Sequence, residues 1–181
     1  MTTIVAKQTA TKVVIGADSL VTSTRKYSHP QMVKVVERGP YIIAGAGLSS
    51  CCDIIQHIWK PPAPIAADRT DLYHFVISRV VPSMKDCLKD NDYKWDKDSG
   101  DDETQFAFLI AIGGEVFDIS DDFAVCLDSD GIYGIGSGSS LAIGALKAGA
   151  SIKKALEIAA DKDPYTAAPF IYFEQERWTA K

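Results

Sequence analysis

The chain has 181 residues, 46% of them hydrophobic and 24% charged, and a formal net charge of −5. That length suits a single domain over residues 1–181 with a substantial core, and the composition excludes a disordered, collagen-like or disulfide-scaffold chain. No apolar run approaches the roughly 20 residues needed to span a bilayer, and the acidic balance argues against nucleic acid as a partner.

The opening Met1-Thr2-Thr3-Ile4-Val5-Ala6 has neither a basic n-region nor an apolar h-region, so no secretory leader is expected. The four cysteines, Cys51, Cys52, Cys87 and Cys126, form no C-x-x-C pair. They read as reduced thiols of a cytoplasmic protein.

In chain order, Thr3 to Ala6 and Val13 to Ala17 read as a β-hairpin across a polar link. A polar loop from Ser23 to His29, broken by Pro30, leads to a second hairpin, Met32 to Val36 and Tyr41 to Ala44. Gly45-Ala46-Gly47 then reads as the end of a strand. Ser49-Ser50 is placed to cap a helix reaching Trp59, with Cys52, Ile55 and Trp59 on one face.

Lys60 to Ala66 holds three prolines and forms a rigid connector. Thr70 or Asp71 opens a long amphipathic helix carrying Leu72, Phe75, Val76, Val80, Met84 and Leu88, with a kink or break expected at Pro82. The charged stretch Asp86 to Glu103 reads as an exposed loop. Phe106 to Ile112, Glu115 to Ile119, Phe123 to Leu127 and Ile132 to Ile135 form a strand meander. Helices from about Ser140 to Gly149 and Ile152 to Ala160 follow, the second capped by Ser151, then a strand from Pro169 to Phe173 and a polar tail.

Helices thus come in pairs and strands in hairpins, unlike a doubly wound parallel sheet. The fold class expected is α+β, a four-layer αββα sandwich of two antiparallel sheets flanked by helix pairs.

Several chemistries have no support. His29, His57 and His74 show no metal-ligand spacing, and there is no G-x-S-x-G elbow, Walker loop or dinucleotide fingerprint. The acidic cluster from Asp96 to Glu103 lacks EF-hand spacing. The informative region is the start. A small residue after Met1 favours removal of that methionine, and a terminal threonine has an α-amine of pKa about 8 beside its own hydroxyl. Antiparallel pairing of the first three strands would bring Asp18 and Lys34 next to it. There an ammonium would keep the amine a free base. Backbone N–H groups of Gly45-Ala46-Gly47 would face an oxyanion.

Thr2-Thr3-Ile4-Val5-Ala6, Val13 to Ser19, Lys34-Val35, Ile43 to Gly47 and Ile135-Gly136-Ser137-Gly138-Ser139 together resemble the proteasome β-subunit family of N-terminal-nucleophile hydrolases. The likeness is nearest to the bacterial peptidase subunit of the two-component ATP-dependent protease. It runs through most of the chain and weakens between Lys60 and Asp102. It implies that Thr2 is the nucleophile, with Lys34 tuning its amine and Asp18 orienting Lys34.

By the same resemblance Ser137 hydrogen-bonds near the amine, and Asp163 and Thr166 complete the network. Gly47 is the first choice for the oxyanion amide, with Gly45 or Ala46 possible. Val21, Met32, Val36, Ala46 and Ser50 fall where the family builds its substrate pocket, which implies apolar P1 side chains. No cofactor is required, although backbone carbonyls of Ala160, Asp163 and Thr166 match positions that hold a structural monovalent or divalent cation.

The activity implied is that of a threonine endopeptidase acting on polypeptides in a homo-oligomeric, self-compartmentalised ring, served by a separate ATP-dependent unfoldase. Two rival readings are a catalytically silent ring or scaffold protein and an amidohydrolase of the same class acting on a small amide.

Overall fold

The computed structural model describes residues 2–22, 26–27, 32–93 and 106–178. Val/Ile-rich alternation builds two antiparallel sheets. The first is four-stranded in the order β10-β1-β2-β11, from β1 (Ile4–Gln8), β2 (Lys12–Asp18), β10 (Ile132–Ile135) and β11 (Phe170–Glu176). The second is five-stranded in the order β5-β6-β7-β8-β9. It comprises β5 (Val35–Arg38), β6 (Tyr41–Gly47), β7 (Phe106–Ile112), β8 (Glu115–Ile119) and β9 (Val125–Cys126).

Three buried layers separate four structural ones. Ile4, Ala6, Ile15 and Ala17 of the first sheet meet Ile42, Ala44, Leu109 and Ala111 of the second. The opposite face of the five-stranded sheet packs Ile43, Phe108 and Ile110 on Ile55, Trp59, Val80 and Met84 of its helices. Val5 of the first sheet packs on Ala142, Leu146, Ala155 and Leu156 of α4 (Ser139–Lys147) and α5 (Ile152–Lys162). The αββα sandwich expected from the sequence is the fold observed.

Gly45-Ala46-Gly47 ends a strand as expected, forming the last three residues of β6, where they pair with Phe108, Ala107 and Phe106. Several local expectations are corrected. Met32 and Val33 lie outside any strand, and β5 begins only at Val35. The first helix, α1 (Ser49–Asp53), has Leu48 at its N-cap and no side-chain cap. It continues as a π-helical turn, Ile54–Ile58, and Cys51 rather than Cys52 joins Ile55 and Trp59 as the fully buried residue.

The regular α-helix is interrupted just before Pro82, where a kink or break was expected. A second π-helical turn, Val76–Val80, sits between α2 (Leu72–Phe75) and α3 (Val81–Asp90). Proline at the start of α3 is tolerated because the wider turn before it already departs from the ordinary ladder, where its missing N–H would be needed. Residues Asp86 to Asp90, expected in a loop, extend α3, and positions 94–103 of that loop lie outside the described residues.

Phe123 and Ala124 precede β9 rather than belonging to it, and Leu127 lies beyond it. Positions 174–176 of the expected polar tail extend β11, pairing with Val14, Val13 and Lys12. Of the loop expected at Ser23 to His29, only Lys26–Tyr27 is described. It forms β4, paired with β3 (Val21–Thr22).

Candidate active site

β1 lies between β2 and β10, so Thr2 and Thr3 enter the sheet at its end. Thr3 is fully buried: its N–H donates to Asp18 Oδ1 at 2.8 Å, and its carbonyl accepts from the Asp18 N–H at 3.0 Å. Asp18 closes β2 and is itself fully buried. Its Oδ2 accepts the N–H groups of Leu20 at 3.0 Å and Ala167 at 3.4 Å. Lys34, 6% exposed, donates from Nζ to Asp18 Oδ1 at 2.6 Å.

The contact expected between Asp18 and Lys34 is present, but strand pairing does not produce it. Asp18 belongs to the four-stranded sheet and Lys34 enters the five-stranded one, so the ion pair bridges the two sheets. Burial holds the Lys34 ammonium below its ordinary pKa, and the Asp18 charge and hydrogen bond only partly oppose this.

Gln56 was missed by sequence reasoning. Nearly fully buried on the π-helical turn, it donates from Nε2 to Lys34 O at 2.7 Å and to Ile43 O at 3.4 Å. A glutamine in a helix reads as solvated, and no local pattern marks it as a brace.

A second network adjoins the first. Ser137 Oγ donates to Asp163 Oδ2 at 2.8 Å and lies 3.4 Å from Thr2 O. Thr166 Oγ1 donates to the same Asp163 oxygen at 2.6 Å. The Thr166 proton being so engaged, the short contact between Thr3 and Thr166 hydroxyls runs from Thr3 as donor. The sequence reading named Ser137, Asp163 and Thr166 for this network but not Thr3.

Gly136 and Gly138 permit the approach. Gly136 has φ +91°, and a Cβ there would strike the Thr2 carbonyl oxygen; one at Gly138 would strike Thr3 Oγ1. Gly138 occupies the N-cap of α4.

Burial works against the Asp163 charge, but hydrogen bonds from Thr166, Ser137 and the Tyr165 N–H prevail, and its pKa lies below the ordinary value. A depressed carboxylate stabilises the fold above its unfolded pKa of about 3.9, and the contribution is lost as pH falls through the folded value. Asp163→Asn is therefore expected to flatten the stability gain of the wild type between strongly acidic pH and about pH 5, measured by urea unfolding at each pH.

Thr2, Lys34 and Gly47 open on one cleft of about 670 Å³. Val21, Met32, Ala46 and Ser50, mapped to a substrate pocket by the resemblance, also line it. Val36 does not: it packs against the core between the five-stranded sheet and its helices. Among the three oxyanion candidates, the Gly45 N–H already donates to Lys34 O at 3.0 Å. Strand alternation turns the Ala46 N–H the other way, toward β7, and the Gly47 N–H to the Gly45 side, beyond the start of β5. Cys52 lines the cleft too, but burial pushes its thiol up to about 12, so it is not a thiolate near neutral pH.

Ala160 lies in the last turn of α5, and the Asp163 carbonyl accepts the Thr166 N–H at 3.1 Å. Carbonyls at a helix C-terminus are a donor set suited to a cation. Among the described residues no group of three His, Cys, Asp or Glu side chains is placed to hold a metal ion. Nor is any helix among them long and apolar enough to cross a membrane.

No family model matches the chain, and no curated protein matches it. Solved structures do. BPH of Thiobacillus denitrificans in complex with epoxomicin is 19% identical with a TM-score of 0.75, covering 98% of this chain and 100% of that one. HslV of Trypanosoma brucei is 19% identical with a TM-score of 0.65, covering 97% and 99%. Anbu (ancestral beta-subunit) of Yersinia bercovieri is 12% identical with a TM-score of 0.69, covering 96% and 81%. At such identities the likeness establishes the fold, a proteasome β-like sandwich.

Proposed function

We propose that this chain is a threonine peptidase subunit whose nucleophile is Thr2 Oγ1 once Met1 has been removed. One observation carries the reading: Thr2 shares a cleft with the Lys34 ammonium, which a fully buried Asp18 holds. The freed α-amine takes the Oγ1 proton as the oxygen attacks the peptide carbonyl carbon. The Gly47 N–H stabilises the resulting oxyanion. Collapse of the tetrahedral species breaks the C–N bond, and the α-ammonium returns the proton to the leaving amine. Water then attacks the acyl ester with the amine again as base, releasing the second product and restoring Thr2.

No step passes through a metal. A structural cation on the carbonyls of Ala160, Asp163 and Thr166 would brace the turn that presents the Asp163 carboxylate. The substrates proposed are polypeptides, and the assembly a homo-oligomeric ring fed by a separate ATP-dependent unfoldase. The setting proposed is cytoplasmic.

The test is intact mass and native mass of untagged protein, before and after epoxomicin. The reading predicts loss of Met1, an adduct mapped to Thr2 and a ring-sized assembly. Protein that loses Met1 yet takes no adduct would favour a silent ring.

Lys34→Met gives a further check. A neighbouring ammonium lowers the pKa of the α-amine, so its removal lets that pKa rise. The acid limb of kcat/KM is expected to move to higher pH in the variant, read from a pH series on one peptide.

A further inference from the structure

We propose that Gln56 is a positioning residue for the peptidase chemistry: its side-chain amide pins the main chain of Lys34, and so keeps the ammonium in the cleft shared with Thr2. The inference rests on the peptidase reading above and adds to it the residue on which the lysine depends.

Lys34 is poorly held by its own strand. β5 is the edge of the five-stranded sheet and pairs only with β6. Lys34 stands one residue before its start, and Met32 and Val33 belong to no strand. The end of a short edge strand is where a sheet opens first. The side chain also has a reason to leave. Burial disfavours its charge, and Asp18 offsets that only in part. A lysine free to shift its main chain would regain hydration by swinging the ammonium toward water.

Gln56 opposes that shift. Its Nε2 donates to Lys34 O at 2.7 Å and to Ile43 O at 3.4 Å, and the Gly45 N–H donates to the same Lys34 oxygen at 3.0 Å. Two donors thus hold the Lys34 carbonyl, the full complement of its lone pairs. The Gln56 carbonyl in turn accepts from Arg38 Nη1 at 2.9 Å, so one helical residue ties both ends of the stretch 34–38. Arg38 also donates to His57 O at 3.0 Å and Trp59 O at 3.3 Å, which anchors the end of that helical turn.

The turn explains how a glutamine comes to lie there. Ile54–Ile58 closes with a bond from the Trp59 N–H to Ile54 O at 2.9 Å, five residues apart. Ile55 and Gln56, consecutive in the chain, are both buried. Turns of this kind recur at functional sites. Packing alone would be served by an apolar residue, since burying an amide is costly unless its hydrogen bonds are made. The amide is useful for what it holds.

The test reads the terminal amine of processed protein directly, from the pH dependence of its acylation by trace acetic anhydride. Lys34→Met is expected to raise the amine pKa, because the neighbouring ammonium is gone. Gln56→Met keeps the volume and removes the donor, and Gln56→Asn withdraws it by one methylene. Each is expected to raise the amine pKa part of the way and to move the acid limb of kcat/KM with it. At neutral pH kcat/KM should fall by about 10- to 100-fold in Gln56→Met, the scale of a small misplacement at an active site. Ser83→Ala is the control. It removes the partner of Trp59 Nε1 beside the same helical turn, and should lower stability while leaving the amine pKa at the wild-type value.

An amine pKa unmoved in both Gln56 variants, while Lys34→Met raises it, overturns this inference and leaves the peptidase reading standing. Should Gln56→Met fail to fold, Gln56→Asn alone decides. An amine pKa unmoved in Lys34→Met also overturns the inference. If wild-type Thr2 in addition takes no epoxomicin adduct, the peptidase reading falls with it.

Discussion

Thr2→Ala is expected to lower kcat for peptide hydrolysis by at least about 10³-fold, the scale seen when a covalent nucleophile is removed. Thr2→Ser, which keeps both hydroxyl and α-amine, should retain turnover and epoxomicin labelling. The contrast matters because other nucleophilic groups face the same space. Ser50 is exposed on α1, and Cys52 opens on the cleft with a thiol held protonated by burial. Thr2 alone among them carries its own base after Met1 removal, and its carbonyl accepts from Ser137 Oγ at 3.4 Å. Alanine at position 2 leaves the backbone contacts of Thr2 and Thr3 in place, so equilibrium stability should stay within about 1 kcal/mol of wild type. Hydrolysis that survives Thr2→Ala would transfer the chemistry to another residue.

The second large effect concerns stability. Asp18→Asn removes the carboxylate facing an ammonium that is 6% exposed. Breaking a buried pair in this way typically costs about 3–5 kcal/mol. Lys34→Met removes the other partner, with a smaller expected loss. Asp18 then still accepts N–H groups from Thr3, Leu20 and Ala167, and such donors stabilise the charged carboxylate. The double variant should be more stable than Asp18→Asn alone, because no buried charge is stranded. Urea unfolding of the three variants and wild type forms a cycle that reads the coupling directly. Losses that simply add in the double variant would mean that the pair contributes nothing beyond packing.

The four-layer arrangement was legible because hairpins and helix pairs alternate in blocks, and each block carries its own apolar period. What escaped depends on partners remote in sequence. Lys34 looked like a strand residue beside Asp18; it sits just outside β5 and reaches across to the other sheet. The roles of Thr2, Asp18 and Lys34 came from the family resemblance, and strand pairing, the reason offered for their meeting, is not what joins Asp18 to Lys34. Gln56 and Thr3 were invisible for a related cause. Their roles depend on a widened helical turn and on the Thr166 hydroxyl, and neither leaves a local mark in the chain.

Because the Asp18–Lys34 contact spans the sandwich, the four-stranded sheet by itself holds Thr2, Thr3 and Asp18 without the lysine. On the proposed chemistry, a nascent or half-collapsed chain is therefore harmless to its neighbours. On that chemistry, cutting power arrives only when the two sheets close on each other, and not with either sheet alone.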